Sequence, residues 1–373
     1  IPELALRRLV ECLARVDHSL LWMSLIESEI LKVVLGEQWE RSVPLTRRAS
    51  SSLSLAESFI PQGIVNVLGA LTPVMANQSV YDPFCGLGQV FREVVNQNCT
   101  QPGSCLPDEA RWFTQDVRDD WRSMAGLSFL LLRIQPLGWL ESSYFGKRWR
   151  RELTRQVEGF DWVVSFLSPQ VQFEGEPDGE AFLLDQILSC LAVEGRAVLV
   201  MAASVLFRRS AYSVRKRLVE SGVIERVIYL PEASFRLGNH NTMPMVVVIL
   251  RRRRSLLPSP PEPDSVAYRL IDARSLPLDD KRVFPTQSLF RAVYTEEVLD
   301  ACLSFCDVTV AQCRGEDYNL NPPLYLPLPG RSFELERGLA NFEAAELERS
   351  AALREMEGCL SRLGLGSFRE ERG

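Results

Sequence analysis

The sequence predicts an α/β protein built on a parallel sheet, and three observations predict it. From residue 59 onward, short runs rich in β-branched and aromatic residues alternate with stretches of helical periodicity, the mark of βαβ units. One such run, Val80-Tyr81-Asp82, leads into a glycine turn, Gly86-Leu87-Gly88, that opens a helix at Gln89. The chain of 373 residues, 46% hydrophobic and 24% charged, is long enough for one full-sized core and an appendage, because single cores stop growing at about 250 to 300 residues.

Ahead of the sheet, apolar residues recur at helical spacing (Leu6, Leu9, Val10, Leu13, then Leu20, Leu21, Met23, Leu25), so residues 1–54 are expected as an N-terminal helical region closed by the polar break Ser50 to Ser54. Residues 55–256 form the sheet domain. Strands are expected at Ser79 to Asp82, Trp112 to Gln115, Trp162 to Leu167, Arg196 to Met201, Val223 to Tyr229 and Met245 to Leu250. Between them lie helices such as Gly179 to Leu191 and Ala211 to Ser221. Pro258, Pro260, Pro261 and Pro263 mark a linker, and residues 257–333 are expected as this linker plus a C-terminal extension of the domain. Within it the pattern suggests a strand at Val266 to Leu270, a helix at Thr295 to Cys306 and an extended turn at Pro322 to Pro329. Residues 334–373 carry a long charged helix, Glu334 to Leu363, with Leu347, Leu353, Met356, Leu360 and Leu363 as its main apolar positions.

The formal net charge of −6 means that any nucleic-acid contact must come from local basic patches, and it argues against a tight, stand-alone DNA binder. Two such patches are Arg251 to Arg254, equally readable as a solubilising strand exit, and Arg148, Arg150 and Arg151 beside Trp149. Nine scattered cysteines, several in apolar runs, fit a reducing cytoplasm. The longest apolar stretches, such as Met243 to Leu250, are far shorter than the roughly 20 residues of a membrane span. Ile1 to Arg8 has no signal-peptide pattern, and a first residue other than Met is compatible with a fragment.

The sharpest local signal is Val80-Tyr81-Asp82-Pro83-Phe84-Cys85-Gly86-Leu87-Gly88. Its glycines let backbone N–H groups approach a ligand, and the helix that follows favours an anionic group at its start. Phe91 stands where the dinucleotide fingerprint needs a third glycine, so a nicotinamide or flavin site is poorly supported. Asp116 ends the second strand run, one strand over from the turn; it is either an acceptor for two ribose hydroxyls or a solvated acid of the Asp-rich turn with Asp119 and Asp120. Phe84 and Trp121 are candidates to flank an adenine ring, with core packing the other reading of Phe84. Two histidines, His18 and His240, give no Ser-His-Asp constellation, and Cys302, Cys306 and Cys313 lack zinc-site spacing, so no metal is expected.

Asp82-Pro83-x-x-Gly86-x-Gly88 resembles the S-adenosylmethionine-binding motif of N6-adenine DNA methyltransferases, and its surroundings are similar to the modification subunit of type I restriction–modification systems. Glu57-Ser58-Phe59-Ile60-Pro61 resembles that family's Phe-Tyr-Thr-Pro segment. Ala181 to Leu191, Leu206-Phe207-Arg208, Val227 to Glu232 with Phe235, Thr242-Met243-Pro244, and Asp317-Tyr318-Asn319-Leu320-Asn321-Pro322 follow the family in order. The resemblance covers residues 55 to 330 and implies a methyltransferase fold, a doubly wound, mostly parallel seven-stranded sheet, with an N-terminal helical segment and a C-terminal helix. It implies S-adenosylmethionine as cofactor, held by Phe59, Pro61, Asp82, Pro83, Cys85, Gly86, Gly88, Asp116 and Glu141.

In the family, the fourth strand ends in Asn-Pro-Pro followed by an aromatic residue. The Asn oxygen and a Pro carbonyl accept hydrogens from the adenine amino group while the ring stacks on the flipped base. Here the corresponding stretch is Ser168-Pro169-Gln170-Val171: a shorter side chain, no second proline and no ring. Two readings stay open, one in which Gln170 supplies the amide oxygen and Phe173 the stacking ring, and one in which methyl transfer is lost. Asn321-Pro322-Pro323 matches the motif as text, but it lies in the family's post-domain segment with Leu324 where an aromatic is needed. The resemblance further implies DNA recognition through a separate specificity subunit, two modification subunits around it, and Glu334 to Leu363 as a docking helix. The functions left standing are an N6-adenine methyltransferase subunit, an inactive scaffold of the same fold, and a small-molecule methyltransferase.

Overall fold

The computed structural model describes residues 60–99, 110–116, 125–126, 129, 138–140, 158–167, 179–231, 234–237, 241–253, 261–278, 285–295 and 302–326. Two compact units divide the chain, Ile1–Leu326 and Pro327–Gly373, and every described element belongs to the first. The helices expected before residue 54 and over Glu334 to Leu363 lie outside the described residues.

The strands are β1 (Ser79–Asp82), β2 (Arg111–Gln115), β3 (Gly138–Leu140), β4 (Phe160–Phe166), β5 (Leu191–Ala202), β6 (Ile224–Tyr229), β7 (Arg236–Leu237), β8 (Asn241–Thr242), β9 (Met245–Arg251), β10 (Val266–Asp272) and β11 (Ser304–Thr309). The helices are α1 (Gln62–Ala70), α2 (Gln89–Cys99), α3 (Gly179–Cys190), α4 (Tyr212–Glu220), α5 (Thr286–Tyr294) and α6 (Val310–Gly315). Among the described residues one sheet of nine strands runs β3-β2-β1-β4-β5-β9-β6-β10-β11, and β7 pairs with β8 in a separate ribbon. From β3 to β5 all pairings are parallel, and so is β6 with β10, whereas β9 is antiparallel to both neighbours and β11 to β10.

The expected mostly parallel, doubly wound sheet is therefore present. Its count is corrected from seven strands to nine, because β10 and β11 continue the sheet beyond β6. Both follow the Pro-rich stretch, and buried Ala267, Tyr268, Leu270 and Ile271 give β10 two apolar faces to cover. A second correction concerns Thr295 to Cys306. Ser304 to Cys306 is strand, not the tail of a helix, and Asp307 is tied across the pair by Arg269 at 2.7 and 3.0 Å. Leu303 and Cys306 have helical spacing, but an edge strand with one buried position, Val308, carries too weak an alternation to be told from it.

Strand side chains alternate between two apolar layers, as the period of two demands. Tyr81, Phe113, Phe160, Val163, Leu199 and Val227 face a layer shared with α3, α4 and α6 through Leu183, Ile187, Leu218 and Cys313. Val80, Trp112, Trp162, Val164, Val198 and Val247 face the other, shared with α1, α2 and α5 through Ile64, Leu68, Phe91, Val94 and Leu289. Helices thus cover both faces. This is why β5 and β9 read as near-continuous apolar runs.

A buried arginine and an ion pair fasten the end of this unit. Arg215 on α4 donates to the carbonyls of Tyr318 (2.7 Å), Val205 (3.1 Å) and Arg208 (2.7 Å). Glu220 takes a fork from Arg314 at 2.8 and 2.7 Å and a hydrogen bond from the Tyr318 hydroxyl at 2.6 Å. The Arg314 guanidinium holds the Glu220 carboxyl down at about 2. These bonds hold Asp317 and Tyr318 at φ 51° and 52°, a left-handed conformation costly for non-glycine residues.

Candidate functional site

In an open parallel sheet, ligands bind beyond the carboxyl ends of the strands, at the point where the chain order reverses. Here that point lies between β1 and β4. Chain order runs outward to β2 and β3 on one side of β1 and to β4 and β5 on the other. The glycine turn, residues 85–88, leaves the carboxyl end of β1, and Ser168 to Val171 follow β4 by one residue.

The turn is built by its own backbone and by the end of β2. Cys85 N–H donates to the Gln115 carbonyl at 3.0 Å, and Gly88 N–H to the Cys85 carbonyl at 2.7 Å. Gly86 and Gly88 take φ of 50° and 78°, which glycine adopts without steric cost. A Cβ on Gly88 would also sit 2.9 Å from the Phe129 ring, so close packing requires glycine there a second time. Gly86 N–H donates to Asp116 Oδ2 at 3.0 Å. The buried carboxyl at the tip of β2 is thus in contact with the turn and is not a solvated acid.

Beneath the turn, Asp82 is fully buried. Its Oδ1 accepts from Phe84 N–H at 3.0 Å and from the Ser165 hydroxyl of β4 at 2.7 Å. Its Oδ2 is buried without a hydrogen-bond partner. Asp82 stands opposite Thr114 in the register of β1 and β2, and Thr114 Oγ1 is likewise buried and unsatisfied. Burial pushes the Asp82 carboxyl up to about 7, against the hydrogen bonds from Ser165 and Phe84, and the Asp116 charge adds to the rise. Two buried oxygens, Asp82 Oδ2 and Thr114 Oγ1, are thus left without a hydrogen-bond partner at the strand ends that carry the glycine turn and Asp116.

The entry segment is fastened to the same turn. Pro61 caps α1, its carbonyl accepting from Ile64 and Val65 at 2.9 and 3.1 Å. Ile60 N–H donates to Gln89 Oε1 at 3.1 Å, and Gln89 Nε2 donates back to the Ile60 carbonyl at 3.4 Å. Pro83 and Cys85 are buried in the turn, and Phe84 is half-buried and packs on the core. Phe59, Trp121, Glu141, Ser168, Pro169, Gln170, Val171 and Phe173 lie outside the described residues; β3 ends one residue before Glu141.

The structure thus brings together Pro61, Asp82, Pro83, Cys85, Gly86, Gly88 and Asp116. Ser165 and Gln89 are site residues that the sequence reading did not single out. Ser165 carried a usable signal, being the hydroxyl in the apolar run Val163-Val164-Ser165-Phe166. By contrast, Arg251 and Arg252 sit at the opposite end of the sheet, bound to Glu194 (2.7 Å) and to the Leu191 carbonyl (2.6 Å). Asn321 precedes a short helical turn, Pro322–Leu324, and does not follow a strand. Among the described residues no group of three or more His, Cys, Asp or Glu is placed to hold a metal, and no helix is long and apolar enough to cross a membrane.

Comparison with solved structures finds the same fold in type I restriction–modification proteins. The methyltransferase subunit of such a system from Streptococcus thermophilus superposes with a TM-score of 0.54 at 18% identity, covering 72% of this chain and 58% of that one. The M protein of the type I restriction enzyme EcoKI gives 0.51 at 14% identity, over 80% of this chain and 73% of that one. This chain therefore spans less than two thirds of the Streptococcus subunit. No curated protein is significantly similar in sequence. The family model for N-6 DNA methylases, however, matches residues 143–329, from just after β3 through the turn at Pro322–Leu324. With half of its length in that match and the sheet order of the fold around it, the chain belongs to the N-6 DNA methylase family.

Proposed function

We propose that the chain is the modification subunit of a type I restriction–modification-like system, an N6-adenine DNA methyltransferase that uses S-adenosylmethionine. One observation carries the cofactor assignment: the glycine turn at the β1–β4 switch point, bonded to Asp116 and lying over the orphaned Asp82 Oδ2. The donor set fits the group. Asp116, bonded to the turn at the carboxyl end of the sheet, offers a carboxylate for ribose hydroxyls, and the orphaned oxygen of Asp82 adds a second acid beneath it. When bound, the cofactor supplies an electrophilic methyl group. In this reading Phe59 and Pro61 close over it, with Cys85, Gly86 and Gly88 beneath and Glu141 toward its base.

Ser168 to Val171 and Phe173 then receive the adenine, with the Pro169 carbonyl and the Gln170 amide oxygen as acceptors for its amino hydrogens and Phe173 as the stacking ring. DNA is reached through a specificity subunit flanked by two modification subunits, and residues 334–373 supply a docking helix. Nine cysteines scattered along the chain, several in apolar runs, suit a cytoplasmic setting. The test is methyl transfer to DNA by the chain assembled with a matching specificity subunit. Labelled N6-methyladenine supports the reading, and its absence contradicts it.

A second reading, a methyltransferase fold that binds partners without transferring methyl groups, is favoured by Ser168-Pro169-Gln170-Val171 in place of Asn-Pro-Pro-aromatic. Methyl transfer that disappears in Gln170→Ala sinks this second reading, because it requires activity to exist.

A further inference from the structure

The carboxyl-end pole of the sheet carries a second feature, just after β5. Strand β5 is parallel to β4, and Val200 pairs with Phe166 and accepts from Leu167 N–H at 2.8 Å, so β5 reaches the same end of the sheet as β4, the strand that leads in sequence to Ser168. A short helical turn, Ala203–Leu206, follows and delivers Phe207-Arg208-Arg209. Phe207 is 45% exposed, Arg209 is exposed and Arg208 half-buried.

This segment is held rigidly although its side chains face solvent. The Val205 and Arg208 carbonyls accept from buried Arg215, and the Leu206 carbonyl accepts from Leu320 N–H at 2.8 Å. Phe207 and Arg208 N–H groups both donate to the Ser204 carbonyl, at 3.1 and 2.9 Å. Anchoring the Val205, Leu206 and Arg208 carbonyls this way fixes the backbone on either side of an exposed ring without burying the ring. Another exposed ring, Phe305, is covered differently: Arg269 lies over it at 5.4 Å and is itself neutralised by Asp307.

Charge singles out the same stretch. In a chain of net charge −6, the segment Phe207 to Arg217 holds Arg208, Arg209, Arg215, Lys216 and Arg217 and no acidic residue. Arg215 is committed to carbonyls and Arg217 pairs with Asp185, while Arg209 and Lys216 are exposed. A preorganised aromatic ring flanked by cations, at the end of the sheet reached by the strand that leads to Ser168, is complementary to a nucleic-acid strand: the ring to a base face, the guanidinium to phosphate.

We propose that Phe207 and Arg209 form a DNA contact at the mouth of the site, Phe207 stacking on an unstacked base and Arg209 binding the adjacent phosphate. The contact rests on the reading of this pole as the place where DNA is handled, but it needs no methyl transfer. The test is fluorescence anisotropy of the full chain with a labelled single-stranded DNA oligonucleotide at low salt, with Arg253→Gln at the opposite pole as a charge control. Phe207→Ala should weaken binding by about 5- to 150-fold, the range of one lost base stack, and Phe207→Leu similarly, whereas Phe207→Trp should retain affinity. Arg209→Gln should lower affinity and reduce the salt slope by about one. Affinity unchanged in Phe207→Ala, an equal loss in Arg253→Gln, or no binding by the unaltered chain overturns the proposal. Titration of the same proteins with S-adenosylmethionine separates the outcomes, because the cofactor site can fail while the Phe207 dependence stands, and the reverse.

Discussion

The Ser165 hydroxyl on β4 donates to Asp82 Oδ1 on β1 at 2.7 Å, joining the two strands between which the sheet reverses its order. The bond ties the strand that runs into the glycine turn, β1, to the strand that precedes Ser168 in sequence, β4. It also leaves Asp82 Oδ2 as a buried acceptor with no partner in the protein.

Asp82 makes stability depend on pH. Its carboxyl titrates at about 7 in the folded chain against an ordinary 3.8, so the stabilisation is complete below about pH 4 and is lost as pH rises through about 7. The expected loss is on the order of 4 kcal/mol over that interval. Asp82→Asn, which mimics the protonated carboxyl, should be more stable than the unaltered chain at pH 8 and lose this pH dependence. Urea unfolding at pH 5 and pH 8 measures it; parallel stability curves for both proteins would contradict the assignment.

Ser165→Ala removes a hydrogen bond that holds the Asp82 carboxyl down, so the transition near pH 7 should move upward. Because Asp82 Oδ1 keeps the hydrogen bond from Phe84 N–H, the loss of the second bond should cost about 1 kcal/mol. Chemical denaturation across pH reads both effects. An unshifted transition would show that Ser165 does not act on Asp82.

Gln89→Ala should leave the fold intact and weaken S-adenosylmethionine binding by about tenfold, about 1.4 kcal/mol, because the amide fastens the Ile60 backbone to the turn through two bonds. Calorimetry together with a melting curve separates the two effects. A large fall in stability with unchanged affinity would assign Gln89 a purely structural role.

Arg215→Ala should destabilise the protein by about 3 to 5 kcal/mol, since it strips three carbonyls of their donor. Arg215→Lys should not restore it, because an ammonium lacks the planar fork that reaches Tyr318, Val205 and Arg208 together. Near-native stability in either variant would show that the Asp317–Pro322 segment is held by other means.

Much of the frame was legible in the sequence, for identifiable reasons. β1 was expected at its observed bounds, and α3 and α4 to within a residue at either end, because buried parallel strands and amphipathic helices leave dense apolar patterns. β3 has three residues and β7 and β8 two each, too short to establish any period. Helix α5 was not singled out, although Leu289, Ala292 and Val293 mark its buried face. The first three residues of β11 were read as the end of a helix because an exposed edge strand carries little apolar alternation.

In the site, the turn and Asp116 were legible because glycines and an acid at strand ends have few other uses. The roles of Ser165 and Gln89 were not, because each depends on a partner 83 and 29 residues away in the chain. Gln89 lies just past the glycine turn, and its two hydrogen bonds to Ile60 are visible only in the fold.

The most direct test of the cofactor site is calorimetric titration of the purified chain with S-adenosylmethionine, repeated with Asp116→Ala. The account predicts micromolar binding by the unaltered chain and at least a tenfold loss, about 1.4 kcal/mol or more, in the variant. A folded chain that releases no heat, or a variant that binds as tightly, would contradict it.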